Sequence, residues 1–365
     1  MDEAAIHAAA RRFPLLGRPR PACPALPDRI AEVRTLAATA ATNDGDTMNT
    51  AAQALNKAAL IASDCGLPDL AHEWCWHHIN TYRTARPLTV LQAGYLLEPV
   101  LNLARLQVRA DEGSPALHLL NAIYQAATLG AAFVVDDQTI SLNGLSGSRD
   151  ERRQLIRWTW LQLLNEGIRI HAMSGRWDEA VTHANALNGI GLHLMEGRQA
   201  AIINELLHHR SEVGRETLRT STLTEPWEQH VGSCLAVMCA TPDTAATAAT
   251  TMIERFLAHD PLPGYAHFRA RWTATVVTLL SPYDKAAAAA TLRRAADEVL
   301  ASPDGYAARE LLGACAATRI DEARHNALTT ILTSTNLSSG MPADSRQTLN
   351  AAVQQAATAL RKIVQ

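Results

Sequence analysis

Apolar residues recur at helical spacing along most of the chain. Leu55, Ala58, Ala59 and Ala62 form an i, i+3, i+4, i+7 stripe, which predicts one buried helix face. Beyond Gly66-Leu67-Pro68-Asp69, a turn with a glycine suited to positive φ and a proline suited to a helix start, Leu70, Trp74 and Cys75 give an answering face. The pattern repeats: Leu96, Val100, Leu103 and Leu106, then Asp111-Glu112-Gly113, then Leu117, Leu120, Ile123 and Tyr124. A third pair runs from Arg149 to Leu187, with Leu161, Leu164, Ile168 and Ala172 before Gly175 and Trp177, Ala180, Val181, Ala184 and Leu187 after it. A fourth leads through Ala201, Ile202 and Leu206 to Gly214. Each reads as an αα-hairpin. Gln53-x-x-Asn56 before Gly66-x-x-x-x-Ala71 recurs with identical spacing as Gln162-x-x-Asn165 before Gly175-x-x-x-x-Ala180, so one helical unit is used at least twice.

Proline and glycine mark the remaining breaks. A short helix within 1–13 gives way to Pro14, Pro19, Pro21, Pro24 and Pro27, an arm or linker. A helix over Arg29–Thr42 closes at Asn43-Asp44-Gly45-Asp46, the next is capped at Asn49 or Thr50, and Arg86-Pro87 ends its partner. Thr241-Pro242-Asp243, Asp260-Pro261, Ser281-Pro282 and Ser302-Pro303-Asp304 carry the pairing onward, and a final helix over Ala343–Val364 is expected to cap the array. Only Phe133 to Leu142 has strand-like chemistry around a polar turn, predicting a β-hairpin-like insertion at 129–148. The expected fold is all-α, a tandem αα-hairpin array in one elongated body: an arm and helix at 1–48, hairpins at 49–222, and further hairpins with a capping helix at 223–365.

Composition narrows the partners. Of 365 residues 47% are hydrophobic and only 5% aromatic, with Ala and Leu dominant, which favours helices in close contact. A net charge of −3 leaves no field suited to nucleic acid or an anionic membrane surface. No apolar run reaches the length of a membrane span. The six cysteines and the start Met1-Asp2-Glu3, with neither a basic nor an apolar leader, lead to an expectation of reduced thiols in the cytoplasm.

Asn56, Asn102, Asn165 and Asn204 precede Gly66, Gly113, Gly175 and Gly214 by ten or eleven residues. In parallel first helices their amides would stand at a similar height, in a row. Here the chain resembles the tetratricopeptide repeat family, carried by the Gly175-to-Ala180 turn and the matching Gly66-to-Ala71. That resemblance implies an α-solenoid whose groove holds an extended peptide or protein segment, with first-helix asparagines bonding its backbone. Asn56 and Asn165 occupy matching positions, and Lys57, Arg105, Arg157 and Arg169 would flank the groove. An amide donates and accepts, as a peptide group does. The other reading of the same asparagines is that they bond neighbouring helices or loop carbonyls and fix the register of the stack.

Histidine is the other candidate chemistry. In His72-Glu73-Trp74-Cys75-Trp76-His77-His78 the outer histidines are too far apart on a helix for a zinc pair, although Cys75 and His78 share a face. No metal or cofactor site is expected. Gly197-Arg198-Gln199 and Glu225-Pro226-Trp227-Glu228 sit at helix edges, where they either line a pocket or cap helices. The alanine-rich texture is similar to that of actinobacterial helical proteins encoded beside peptide natural-product genes. That similarity implies an alternative: a cofactor-free, peptide-modifying enzyme such as a class V lanthipeptide thioether-forming cyclase. Its acid or base would come from His77, His78, His183 and His193. In the peptide-binding reading the 133–142 insertion would be a lid or side wall of the groove.

Overall fold

The structure, a computed structural model, describes residues 3–42, 46–83, 87–260, 262–315 and 318–364. Among these the chain is all-helical apart from one two-stranded hairpin. The early helices are α1 (Glu3–Ala10), α2 (Leu26–Thr42), α3 (Thr47–Asp64), α4 (Pro68–Arg83), α5 (Val90–Arg109) and α6 (Gly113–Leu129). Strands β1 (Ala132–Val135) and β2 (Gln138–Ser141) follow. Then come α7 (Arg149–Met173), α8 (Trp177–Ala186), α9 (Glu196–Leu207), α10 (Ser211–Arg219), α11 (Pro226–Met238) and α12 (Pro242–Ala258). The series ends with α13 (Ala266–Leu280), α14 (Lys285–Ala301), α15 (Gly305–Ala314), α16 (Glu322–Ser334) and α17 (Ala343–Val364). None of the described helices is long and apolar enough to cross a membrane.

The chain divides into two compact units, each discontinuous: unit 1 comprises residues 1–24 and 167–335, unit 2 residues 25–166 and 336–365. The division falls inside α7, not at the expected 48/49 and 222/223 boundaries. In unit 2, α17 packs against α2, α3 and α4, while α3, α4, α5 and α6 meet in sequence and β1 lies on α6. A purely sequential array would not bring the last helix to the first hairpin. Small residues make the approach close: Ala352, Ala356 and Ala357 of α17 are buried with Val33 and Ala37 of α2 and Ala51, Ala58 and Ala62 of α3. The returning chain docks on the α3–α4 turn, with the amides of Ser338 and Gly340 donating to the carbonyls of Asp64 and Cys65 at 2.7 and 2.9 Å. Beneath it the buried Asp64 carboxylate takes Arg29 at 2.5 Å and Arg109 at 3.3 Å.

Unit 1 is built around α13, which packs on α1, α11, α12, α14 and α15. Phe268, Trp272, Ala274, Val276, Val277 and Leu280 are buried around its circumference, as expected for a helix enclosed on all sides.

Gly66 and Gly175 take the positive φ expected of them, +78° and +71°. The other two turns differ. Gly113 opens α6 and Asp111 takes φ 62°; Gly214 lies buried within α10 and His209 takes φ 59°. Asp46, rather than Asn49 or Thr50, caps α3 by accepting from the Asn49 amide at 3.1 Å. The expected breaks at Asn43-Asp44-Gly45, Arg86 and Pro261 lie outside the described residues. The insertion is an antiparallel hairpin pairing Val135 with Gln138. Its two turn residues, Asp136 and Asp137, both have positive φ, the geometry that suits strand twist.

Candidate functional site

A polar seam runs across the first helices of unit 2. The Asn56 amide on α3 donates to Glu98 of α5 at 2.5 Å and accepts from Asn102 at 3.4 Å. Arg105, one turn further along α5, donates to Asn102 at 3.2 Å and reaches Gln162 and Glu166 of α7 at 3.2 and 2.9 Å. Asn56, Glu98, Asn102, Gln162 and Glu166 are half-buried and Arg105 is exposed, so the seam is a surface feature with a desolvated floor. Burial raises the Glu98 carboxyl above the usual range, against the opposing pull of Asn56 and Arg105. Nearby the Tyr82 hydroxyl is buried without a hydrogen-bond partner; burial, then Tyr95 and Glu98, push its ionisation upward. Pro99 inside α5 has no N–H, so the Tyr95 carbonyl cannot take the i+4 donor of a regular helix.

Two of the four predicted asparagines, Asn56 and Asn102, therefore meet. Asn165 lies half-buried on α7 beside Glu166 in sequence. Asn204 is buried on α9 in unit 1, its side-chain oxygen without a hydrogen-bond partner. Of the flanking cations, Arg105 joins the seam, Lys57 pairs with Glu32 at 2.8 Å, Arg157 is exposed on α7 and Arg169 belongs to unit 1. Glu98 is the residue that sequence reading missed. Its signal was its spacing, since Glu98, Asn102 and Arg105 share one helical face at i, i+4, i+7.

The histidines do not gather at one place. His78 is fully buried, neither ring nitrogen has a hydrogen-bond partner, and burial pulls its pKa down to about 3, with His77 adding to the shift. It is a neutral core residue packed beside Tyr82. His77 lies 3.3 Å from Arg361 of α17, and burial followed by that arginine lowers its pKa. Cys75 is buried and its thiol is pushed up to about 12, so it is no ready thiolate. His72 and Trp76 of α4 instead share Asp136 of the β-hairpin, each at 2.7 Å, while Arg83 bonds Gln138. The hairpin thus braces α4 and α6. Among the described residues no group of three or more His, Cys, Asp or Glu could hold a metal ion.

In unit 1 His183 lies against Gly167, where any Cβ would strike its ring, and 5.9 Å from the ring of His171. His171 in turn approaches Glu179 to 3.2 Å. His193 sits 3.5 Å from Glu228. Glu228 belongs to a buried polar node with Glu196, Arg198 and Gln199, the two helix-edge stretches singled out above. The Gln199 amide accepts from the Leu15 N–H and donates to the Leu15 and Leu194 carbonyls, at 2.8, 2.8 and 2.7 Å. Arg198 donates to Gly191, Thr217, Thr220 and Ser221. Gly197 is obligatory, because a Cβ would lie 2.4 Å from the Gly189 carbonyl.

This node holds the proline-rich stretch 14–24 as an extended strap. Beyond Gln199, the Arg20 amide donates to Gly264 at 2.8 Å, the Cys23 amide to Asp304 at 3.1 Å, and the Cys23 carbonyl accepts from Gly305 at 2.8 Å. Arg18 pairs with Glu196 at 2.7 Å. Comparison of the chain with protein-family models, curated proteins and solved structures finds no match.

Proposed function

We propose that unit 2 is a tetratricopeptide-like helical-repeat module that binds an extended peptide or protein segment along the Asn56–Glu98–Asn102–Arg105 seam. The supporting observation is that the amides of α3 and α5 bond side chain to side chain while half exposed. Such bonds can be exchanged for those of a peptide group without stranding a buried partner. Glu98 with Arg105 offers one charge of each sign to a bound segment. A place in a peptide natural-product pathway, as the texture of the sequence suggests, is compatible with this module.

The test is an array of unstructured peptides probed with the full chain, followed by anisotropy titration of the hits. Asn56→Ala with Asn102→Ala should weaken binding about tenfold, the worth of one or two hydrogen bonds. A double variant that binds normally but melts markedly earlier would sink the reading and leave the amides as register pins.

The second reading, acid–base processing of a bound peptide, draws on the His171–Glu179 approach with His183 alongside. Burial, then Arg176, keeps the His171 pKa below its ordinary value, leaving a neutral imidazole of the kind a general base requires. Mass spectrometry of captured peptides after incubation decides it. A product lost in both His171→Ala and His183→Ala would favour catalysis; unchanged peptide mass favours binding alone.

A further inference from the structure

We propose that unit 1 carries a binding site for a phosphate-type oxyanion, free or as the phosphoryl group of a small molecule, formed by Arg20, Arg271 and Arg309 around His267. The site does not rest on the reading of the seam.

These side chains converge from separate elements: Arg20 from the strap, His267 and Arg271 from α13 and Arg309 from α15. Tyr306 fixes the centre. Its ring lies 6.0 Å from that of His267, and the guanidinium carbons of Arg20 and Arg309 stand 5.5 and 5.8 Å from its centroid. Arg271 donates to the Arg12 carbonyl, while the Arg12 guanidinium is itself tied down elsewhere, to Thr278 at 3.0 Å and the Ala8 carbonyl at 3.3 Å.

Charge and hydrogen bonding are both unbalanced here. The three guanidiniums, those of Arg20, Arg271 and Arg309, act on His267, and Glu310 is the acid that acts on Arg271. Arg271 Nε and His267 Nδ1 are buried without hydrogen-bond partners. Burial, with Arg20, Arg271, Arg309 and Arg169 adding to it, pulls the His267 pKa down to about 3. Like charges gathered against a partly buried floor repel, and native proteins seldom leave such donors unanswered. Guanidinium forks answer planar or tetrahedral oxyanions through paired N–H···O bonds, which a chloride or a neutral ligand cannot reciprocate. Arg20 and Arg309 are exposed, whereas Arg271 is half-buried, so the cluster meets solvent on one side and is desolvated on the other.

The experiment is calorimetric titration of the full chain at fixed ionic strength with inorganic phosphate alone and, separately, with a phosphate monoester alone. Saturable binding is expected, weakened about tenfold or more by Arg271→Gln and by Arg309→Gln and unchanged by Arg149→Gln. Arg309 is exposed, so its variant keeps the fold even where Arg271→Gln does not. Tighter binding of the monoester assigns the site to a phosphorylated molecule, and tighter binding of phosphate assigns it to the ion; either supports the proposal. Absence of saturation with both probes, or equal affinity in Arg309→Gln and the unaltered chain, overturns it.

Discussion

The seam of unit 2 and the node of unit 1 use the same residue types in opposite ways. Gln199 and Asn56 are both helix amides paired with carboxylates and arginines nearby. Gln199 is fully buried and spends every bond on main-chain groups. Asn56 is half-exposed and bonds only side chains. An amide committed to backbone specifies where the chain must run, because no other residue restores the lost bonds. An amide paired with other side chains is free to trade them. Partner type and burial, rather than residue identity, separate scaffold from candidate site.

The sharpest way to break this contrast is to remove the buried amide. Gln199→Ala should cost about 3 kcal/mol or more, since three buried backbone groups lose their partner, and thermal melting would show it as a large fall in Tm. A loss no greater than that of a surface change would erase the distinction. Glu228→Gln comes next. Burial pushes the Glu228 carboxyl up, but hydrogen bonds from the Glu225 and Thr224 amides, the Thr224 hydroxyl and the Leu194 amide outweigh it, so the net shift is downward. A depressed carboxylate stabilises the fold above its unfolded pKa of about 4.3 and loses that contribution as pH falls through the folded value. The variant should therefore melt earlier by ~1–2 kcal/mol at neutral pH, with the gap closing below about pH 4.

The seam should respond weakly. Asn56→Ala with Asn102→Ala should change stability by no more than about 1 kcal/mol, as water replaces the exchanged bonds; chemical denaturation measures it. The smallest effect has the opposite sign. The Glu98 pKa is raised, so its ionisation works against folding as pH climbs from the unfolded value through the folded one. Glu98→Gln should gain at most ~1 kcal/mol at neutral pH and nothing below about pH 4. A loss at neutral pH would mean that the charge itself holds α3 to α5.

Local pattern carried much of the fold. The stripe from Leu55 to Ala62, the turn glycines Gly66 and Gly175, the helix Ala343–Val364 and the strand pair around Asp136-Asp137 were all legible, because periodicity and turn chemistry act within a few residues. Long-range packing was not. Nothing in Ala352, Ala356 and Ala357 says that their small faces meet α2 and α3, and so the discontinuous units went unseen. His209 hid its turn by adopting a conformation usually left to glycine, and at the expected Asp111-Glu112-Gly113 turn it is Asp111 that takes the positive φ. Within the candidate site, repeated spacing pointed to Asn56 and Asn102, and Arg105 was named only as a flanking cation, whereas Asn204 shared that spacing and is buried elsewhere. Spacing reports height along a helix and not which neighbour covers it.

The strap at 14–24 behaves as a gauge of length. Its anchors at Leu15, Arg20 and Cys23 are main-chain atoms, so Pro19, Pro21 and Ala22, exposed between them, can vary while the distance to be spanned cannot; Gly17 is fixed too, because a Cβ there would lie 2.2 Å from Trp227. Deleting one residue would force a choice among Gln199, Gly264 and Asp304, and inserting one would throw a loop outward. Selection acting on this stretch would therefore record insertions and deletions more severely than substitutions, the reverse of what a proline-rich linker ordinarily shows.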